Sequence, residues 1–320
     1  MRFFANTNID FIGNRKYAFI LSIIVILAGV ISLFVNGGPK YSIDFTGGLA
    51  LELDLTPQTA DAPQINVQML RDELKEAGIE GVEIQSISSA NKTKNFFLIK
   101  TQENSEDSEK IGTKIINVIK QAYPNNIVPE KLVRLQDEVG PKIGGELKEK
   151  MLLAIFWSLL GIILYIWWRF EFTFGVAAVV ALIHDVLITV GIFSLTGREM
   201  SLTIVAALLT IVGYSLNDTI VVFDRIREDL RVFRKDSYSN VINHSINETL
   251  SRTIITSLTT FVVVLSLFLF GGTVIHDFAF ALLIGVIVGT YSSIFIASPL
   301  MVEHFQNRQK RLAIRGSKKK

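Results

Sequence analysis

The hydrophobic pattern of the chain consists of six long apolar runs, with one extended polar block between the first and the second. A helix needs about 20 apolar residues to cross the hydrocarbon core of a bilayer, and each run approaches or exceeds that length. We therefore predict a bundle of six transmembrane helices, at Tyr17–Val35, Met151–Trp168, Phe172–Leu195, Ser201–Phe223, Ile254–Phe270 and Phe278–Leu300.

The polar block has the pattern of a small α+β domain. Alternating apolar positions predict strands, and helical spacing predicts two helices, of which the first ends at Gly78 and the second is capped by Ser105 and stopped by Pro124. The order is strand Leu49–Leu55, helix Asn66–Ala77, strands Val82–Ile87 and Phe96–Lys100, helix Ser105–Tyr123 and strand Arg134–Val139. This order is typical of a ferredoxin-like fold inserted between spans one and two.

Composition narrows the function classes. The hydrophobic fraction is 49%, the charged fraction is 19% and the mean hydropathy is +0.41, which excludes an ordinary cytosolic enzyme. The net charge is only +2, and the mildly acidic polar block argues against nucleic-acid binding. Without cysteine, zinc-ligand spacing or a phosphate-binding loop, we expect no enzyme activity, no cofactor and no metal.

Loop charges predict the orientation of the spans. Basic residues concentrate in the amino tail, in the loop after span four and in the carboxyl tail, whereas the loop after span three has only Arg198 and Gly271–Asp277 has none. The positive-inside rule places both termini in the cytoplasm and the inserted domain outside. The predicted parts are a tail at 1–16, a first helix at 17–35, an outer domain at 36–150, five helices at 151–300 and a tail at 301–320. The basic carboxyl tail is either unstructured or a lipid site.

Asp218, in the sequence Gly213-Tyr214-Ser215-Leu216-Asn217-Asp218-Thr219, is the strongest chemical signal within a span. It precedes Asp224, the first charge beyond the span, by six residues, which corresponds to about 9 Å of helix. A carboxylate at that depth costs several kcal/mol unless it is paired, hydrated or protonated. A switchable proton site is one interpretation, and an interfacial residue that bonds to its own helix is the other.

Two further polar sites accompany Asp218. Arg252 begins span five and is positioned to reach across to Asp218, or to extend toward the membrane interface as basic residues commonly do. His184 and Asp185 lie at the middle of span three and must face the bundle interior. We leave open whether this pair carries protons or is a structural hydrogen-bonded pair between helices.

Glycine motifs mark both ends of the polar block. Asp44-Phe45-Thr46-Gly47-Gly48 precedes the first strand, where paired glycines indicate a turn or a close backbone approach. Val139-Gly140-Pro141, followed by Gly144 and Gly145, predicts a flexible junction where the domain re-enters the membrane.

Together, these motifs and Ala181-Leu182-Ile183-His184-Asp185 resemble the SecD/SecF family of bacterial protein-export membrane proteins, in particular its smaller subunit. The match covers about residues 10 to 305, and its most specific part runs from Gly213 to Glu228. The resemblance implies a member of the resistance-nodulation-division superfamily in the bacterial cytoplasmic membrane. It also implies that the chain uses the proton-motive force to promote preprotein export, with Asp218, Asn217 and Arg252 in the proton pathway.

The resemblance further implies partners: a SecD-like subunit, a SecYEG-type protein-conducting channel, preprotein substrates and membrane lipid. Small residues on the last span, Gly285, Gly289, Ser292 and Ser293, are candidates for contact with the SecD-like subunit, or for packing within the chain. Two other functions remain: a structural assembly subunit without ion coupling, and half of a small-molecule efflux pump.

Overall fold

The computed structural model describes residues 7–59, 62–79, 81–88, 95–101 and 108–317. Six helices in these ranges are long and apolar enough to cross a membrane. They are α1 (Arg15–Val35), α5 (Pro141–Arg169), α6 (Phe172–Leu195), α7 (Leu202–Val232), α8 (Tyr238–Phe270) and a last span made of α9 (Gly272–Ser292), a π-helical segment (Ser293–Ala297) and α10 (Ser298–Ser317).

The six helices are not equivalent in the bundle. The α6 and α7 helices and the last span each bury half or more of their most apolar stretch, whereas α5 buries almost none and exposes Phe156, Trp157 and Trp168. The α1 helix crosses α6 at a glycine pair, and a Cβ atom on Gly29 would lie 2.6 Å from the Cα of Gly191. Small residues permit such close helix packing. The bundle therefore has a three-helix centre, which is where the buried carboxylates Asp185 and Asp218 lie.

The inserted domain contains a four-stranded antiparallel sheet in the order β2-β3-β1-β4, as the predicted ferredoxin-like order requires. Its elements are a short helix α2 (Ile43–Thr46), β1 (Gly48–Asp54), α3 (Val67–Glu76), β2 (Glu83–Ser88), β3 (Asn95–Thr101), α4 (Ser108–Ala122), a 3₁₀ turn (Pro124–Asn126) and β4 (Val133–Val139). The predicted cap Ser105 lies outside the described residues.

The hydrophobic pattern of β1 explains how the sheet packs. Leu49, Leu51 and Leu53 alternate along the strand, are fully buried and share one core with α3 and α4. Burial of each leucine contributes about 1.5–3 kcal/mol. Asn66 caps α3 by accepting a hydrogen bond from the backbone N–H of Met69, as Ser/Asn residues commonly do at this position.

The prediction of a flexible junction after β4 was wrong. Gly140 is the N-cap of α5 and Pro141 its first residue, so Gly144 and Gly145 belong to the helix. Proline is favourable at this position because its fixed φ suits the first turn and its missing N–H is not needed there. The domain therefore joins the bundle through a helix that continues directly into span two. We call this end of the bundle the near end and the opposite end the far end.

Candidate functional site

Two carboxylates lie buried within the apolar stretches of the central helices. Asp185 of α6 is 0% exposed and Asp218 of α7 is 2% exposed. Ser215, one turn before Asp218 on α7, donates a 2.6 Å hydrogen bond to Asp185. The α7 helix therefore contributes to both sites within a single turn.

The carboxylate of Asp185 is fully partnered by side chains. Its Oδ2 accepts hydrogen bonds from Ser215 Oγ at 2.6 Å and from Ser292 Oγ at 2.9 Å. Its Oδ1 lies 2.9 Å from Nδ1 of His184. Gly289 lets the last span approach α7 closely, because a Cβ atom there would lie 3.0 Å from the Cβ of Ser215. This close approach brings Ser292 to the carboxylate.

A chain of hydrogen bonds continues from His184 to α1. His184 Nε2 lies 3.0 Å from Ser22 Oγ, which lies 3.0 Å from the hydroxyl of Tyr291. The Tyr291 hydroxyl donates to the carbonyl oxygen of Ala18 at 2.8 Å. With an Nε2–H imidazole and a protonated Asp185, Ser22 donates to Tyr291 and every hydrogen bond of the chain has a proton. With an Nδ1–H imidazole and an ionised Asp185, Ser22 donates to His184 and its contact with Tyr291 has no proton.

The carboxylate of Asp218 is much less satisfied. Ser257 of α8 donates a 3.1 Å hydrogen bond to its Oδ2, and Thr290 of the last span lies 2.7 Å from the Ser257 hydroxyl. Two buried hydroxyls near this part of the bundle, those of Tyr214 and Thr253, have no hydrogen-bond partner among the described residues. Such orphan groups are uncommon in folded proteins.

Arg252 is exposed and makes no ion pair within 4.0 Å among the described residues, although its charge acts on Asp218. The structure therefore brings Arg252 into the neighbourhood of the acid without direct contact. Asn217 and Gly213 lie on the exposed face of α7, away from the buried Asp218. Asn217 is not brought to the Asp218 carboxylate.

The glycine motifs have structural positions. Asp44 of α2 accepts a 2.8 Å hydrogen bond from the backbone N–H of Leu202, the first residue of α7. Gly47 and Gly48 have φ values of +75° and +133°, which residues other than glycine rarely adopt. Asp44 therefore contacts the same helix that carries Asp218.

Sequence reasoning missed a charged cluster at the far end of the bundle. Arg225 forms ion pairs with Glu228, Asp229 and Glu248, and Ser245 donates a 2.7 Å hydrogen bond to the buried Asp229. Asp229, Glu248 and His244 each place one oxygen or nitrogen atom within 4.8 Å of the others, as metal ligands do. The guanidinium group of Arg225 already supplies positive charge to both acids. The i, i+4 spacing of Arg225 and Asp229 was the available sequence signal.

The family model "Protein export membrane protein SecD/SecF, C-terminal" matches residues 119–307, which include both buried carboxylates. The chain belongs to this family. It is 46% identical over 297 residues to the protein translocase subunit SecF of Desulfurispirillum indicum, covering 92% of this chain and 91% of that protein. It is 40% identical to the protein translocase subunit SecF of Endomicrobium trichonymphae, covering 98% of this chain and 97% of that protein.

The solved structures agree with the fold. The crystal structure of SecDF from Thermus thermophilus, described as a translocon-associated membrane protein, superposes with a TM-score of 0.81 at 38% identity. The match covers 94% of this chain but only 39% of the SecDF chain. A structure of SecDF in a super-membrane-facing form gives a TM-score of 0.69 at the same identity. The chain therefore corresponds to about two fifths of SecDF, with both the bundle and the inserted domain included.

Proposed function

We propose that the chain is a SecF-type subunit of the Sec translocation machinery, and that it uses the proton-motive force together with a SecD-like subunit to promote preprotein export. Asp218 carries the proposal. It is buried at 2% exposure, is approached by the hydroxyls of Ser257 and Thr256, and has no cation within 4.0 Å among the described residues. An ionised carboxylate in that setting costs several kcal/mol, so binding and releasing a proton would change the energy of the surrounding helices.

The proton-motive force is a suitable energy source for a site that binds and releases a proton. A proton moving across the membrane supplies about 2.3 kcal/mol per 100 mV. We propose that Arg252, which acts on Asp218 from a distance, approaches it when the acid is ionised and withdraws when it is protonated. For Asp185 and His184, the complete set of partners supports a hydrogen-bonded hub that holds four helices together, rather than a second exchange site. No covalent chemistry is required of the chain.

We propose that the far end is cytoplasmic and that the membrane is the bacterial inner membrane. The far end carries Arg225, Arg227, Arg231, Arg234 and Lys235. Arg198, near the other end, is paired with Asp277. A Gln85→Cys variant should react with an impermeant thiol reagent from outside intact cells, and an Asp236→Cys variant only after the membrane is opened. The reverse pattern would contradict this orientation.

The proposed SecD-like partner has a matching surface on α7. Its exposed face is small and polar instead of apolar, with Thr203, Ala206, Thr210, Gly213 and Asn217 in helical register. Small and polar residues favour helix–helix contact in membranes, whereas the exposed apolar side chains of α5 suit lipid. Of the earlier candidates, Gly285 and Gly289 pack on Ile211 and Ser215, and Ser292 and Ser293 are buried, so these residues serve packing within the chain. A SecYEG-type channel and preproteins complete the proposed set of partners.

Export into membrane vesicles with and without an imposed proton gradient tests the proposal. We expect Asp218→Asn to remove the gradient-stimulated part of export while the basal part remains, because an amide cannot exchange a proton. Asp236→Asn, the same change at an exposed loop carboxylate, is the matched control and should behave like the parent. Equal gradient stimulation in Asp218→Asn and the parent would favour a structural assembly subunit instead.

A further inference from the structure

The inserted domain is joined to the bundle by a short piece of paired backbone. Residues Lys40–Ser42 lie beside Met200, in the loop between α6 and α7. The N–H of Met200 donates to the carbonyl oxygen of Lys40 at 2.6 Å, and the N–H of Ser42 donates to the carbonyl oxygen of Met200 at 3.0 Å. Asp44 extends this contact by accepting the hydrogen bond from Leu202.

Ion pairs support the same junction from the sheet. Glu199, next to Met200, is 10% exposed at its side chain and pairs with Lys100 of β3. It also lies 3.5 Å from Lys40, which pairs with Glu83 of β2. Two strands of the domain are thereby linked to the loop that precedes α7.

The α2 helix that carries Asp44 is itself held firmly against α5. A Cβ atom on Gly144 would lie 3.0 Å from the carbonyl oxygen of Phe45 and 3.1 Å from the N–H nitrogen of Gly47. The ammonium group of Lys148 lies 4.7 Å from the ring centre of Tyr41. Asp44 is therefore attached to the domain and to span two, and it reaches across to a different span.

The hydrogen bond from Leu202 to Asp44 is separate from the side-chain N-cap of α7. Ser201 is the N-cap of this helix and accepts a hydrogen bond from the N–H of Ile204. A helix N-terminus favours a carboxylate through its unpaired N–H groups and its dipole. Beyond this local cap, Asp44 connects the inserted domain to α7. On that helix Asp218 lies sixteen residues, or about 24 Å, beyond Leu202.

We propose that Asp44 is a positioning residue that transmits movement of α7 to the inserted domain. A shift of α7 that accompanies proton exchange at Asp218 would pull on Asp44 and, through α2, on the root of β1. The positive-φ glycines Gly47 and Gly48 lie between Asp44 and β1, where they allow the backbone to bend. This proposal rests on the proposed function, because it assigns the output path of the same site.

Three variants separate this role from simple helix capping. Asp44→Ala removes the side-chain hydrogen bond between the domain and α7 and leaves the backbone pairing at Met200. Asp44→Asn retains an oxygen that accepts the hydrogen bond, and Ser201→Ala removes a cap bond of the same helix without touching Asp44. With the SecD-like partner present, we expect Asp44→Ala to lower gradient-stimulated export about five- to tenfold while proton flux stays within about twofold of the parent. Asp44→Asn should restore most of the export, and Ser201→Ala should export like the parent.

A distance measurement tests the link without any activity. The chain has no cysteine, so Gln85→Cys and Leu195→Cys place spin labels only on the exposed side of β2 and at the near end of α6. We expect one narrow distance distribution in the parent, Asp44→Asn and Ser201→Ala, and a broadened one in Asp44→Ala. Unchanged distances and export in Asp44→Ala, or equal losses in Ser201→Ala, would overturn the proposal. If Asp44→Ala broadens the distance distribution but Asp218→Asn retains gradient-stimulated export, the structural link stands and the proposed function is wrong.

Discussion

The two carboxylates buried in the apolar stretches of the bundle, Asp185 and Asp218, differ in how many hydrogen-bond partners the chain gives them. Asp185 accepts hydrogen bonds from two serines and contacts a histidine, and that histidine is connected to α1 through Ser22. Asp218, on α7 one turn after Ser215, accepts a hydrogen bond from Ser257 and is otherwise approached only by the Thr256 hydroxyl among the described side chains. A fully partnered buried group stabilises one arrangement of helices, whereas a poorly partnered group gains from a change of arrangement or of protonation. On this difference we base our proposal that Asp185 holds the helices together and that Asp218 exchanges the proton.

The largest effect on stability is expected for Asp185→Ala. Removing the carboxylate leaves Ser215, Ser292 and His184 without their shared acceptor and creates a cavity, so the free energy of unfolding should fall by about 3–5 kcal/mol. Chemical denaturation of the purified protein in mild detergent measures this loss. Asp218→Ala, the matched change, should cost clearly less. Similar losses in the free energy of unfolding for the two variants would contradict the proposed difference between Asp185 and Asp218.

Arg252→Met is expected to reduce gradient-stimulated export about tenfold with little change in stability, because the side chain is exposed and makes no ion pair among the described residues. Arg252→Lys keeps a positive charge and should retain part of the export. Vesicle export and thermal unfolding of both variants give the two readouts. A Met variant that exports normally would show that the Asp218 site needs no cation from this position.

Tyr291→Phe tests whether the hydrogen-bond chain at His184 contributes to stability and not to proton flux. It removes the hydroxyl that joins Ser22 to the carbonyl oxygen of Ala18, which should lower the free energy of unfolding by about 1 kcal/mol. Proton flux should be unchanged, since Asp218 keeps its own donor. A loss of proton flux at normal stability would place the His184 chain in the proton pathway after all.

The smallest effect within the chain is expected for Asn217→Ala. Asn217 is exposed and has no hydrogen bond among the described residues, so stability should change by less than about 0.5 kcal/mol. Its expected effect is on assembly: the fraction that co-purifies with the SecD-like subunit should fall. Leu258→Ala, at an exposed apolar position of α8, is the control for a general surface effect.

Sequence reasoning found the elements with local signals. The strands of the inserted domain alternate visibly and were predicted within one residue. The apolar runs located all six spans, but the helices extend beyond them: α8 begins at Tyr238, sixteen residues before the predicted start at Ile254. His184, Asp185 and Asp218 were conspicuous because charged residues are rare in apolar runs. Gly144 and Gly145 were misinterpreted, since glycine disfavours helices locally. Both lie in α5, where Gly144 permits α2 to pack closely.

The partners of these residues could not be predicted. Ser22 and His184 are 162 positions apart in the sequence, and serine is common in transmembrane helices, so neither spacing nor residue type identifies the contact. The link from Asp44 to Leu202 likewise depends on how the domain docks on the bundle. Contacts between distant segments require the packed structure.

The most direct test of the account is proton flux into vesicles that contain this chain and a SecD-like subunit, compared for Asp218→Asn and Asp185→Asn. In Asp185→Asn the amide oxygen accepts both serine hydrogen bonds and the NH₂ group donates to His184, so the hub persists. We expect Asp218→Asn to abolish proton flux and Asp185→Asn to retain it within about threefold of the parent. Equal loss in both variants, or loss only in Asp185→Asn, would contradict the assignment of proton exchange to Asp218.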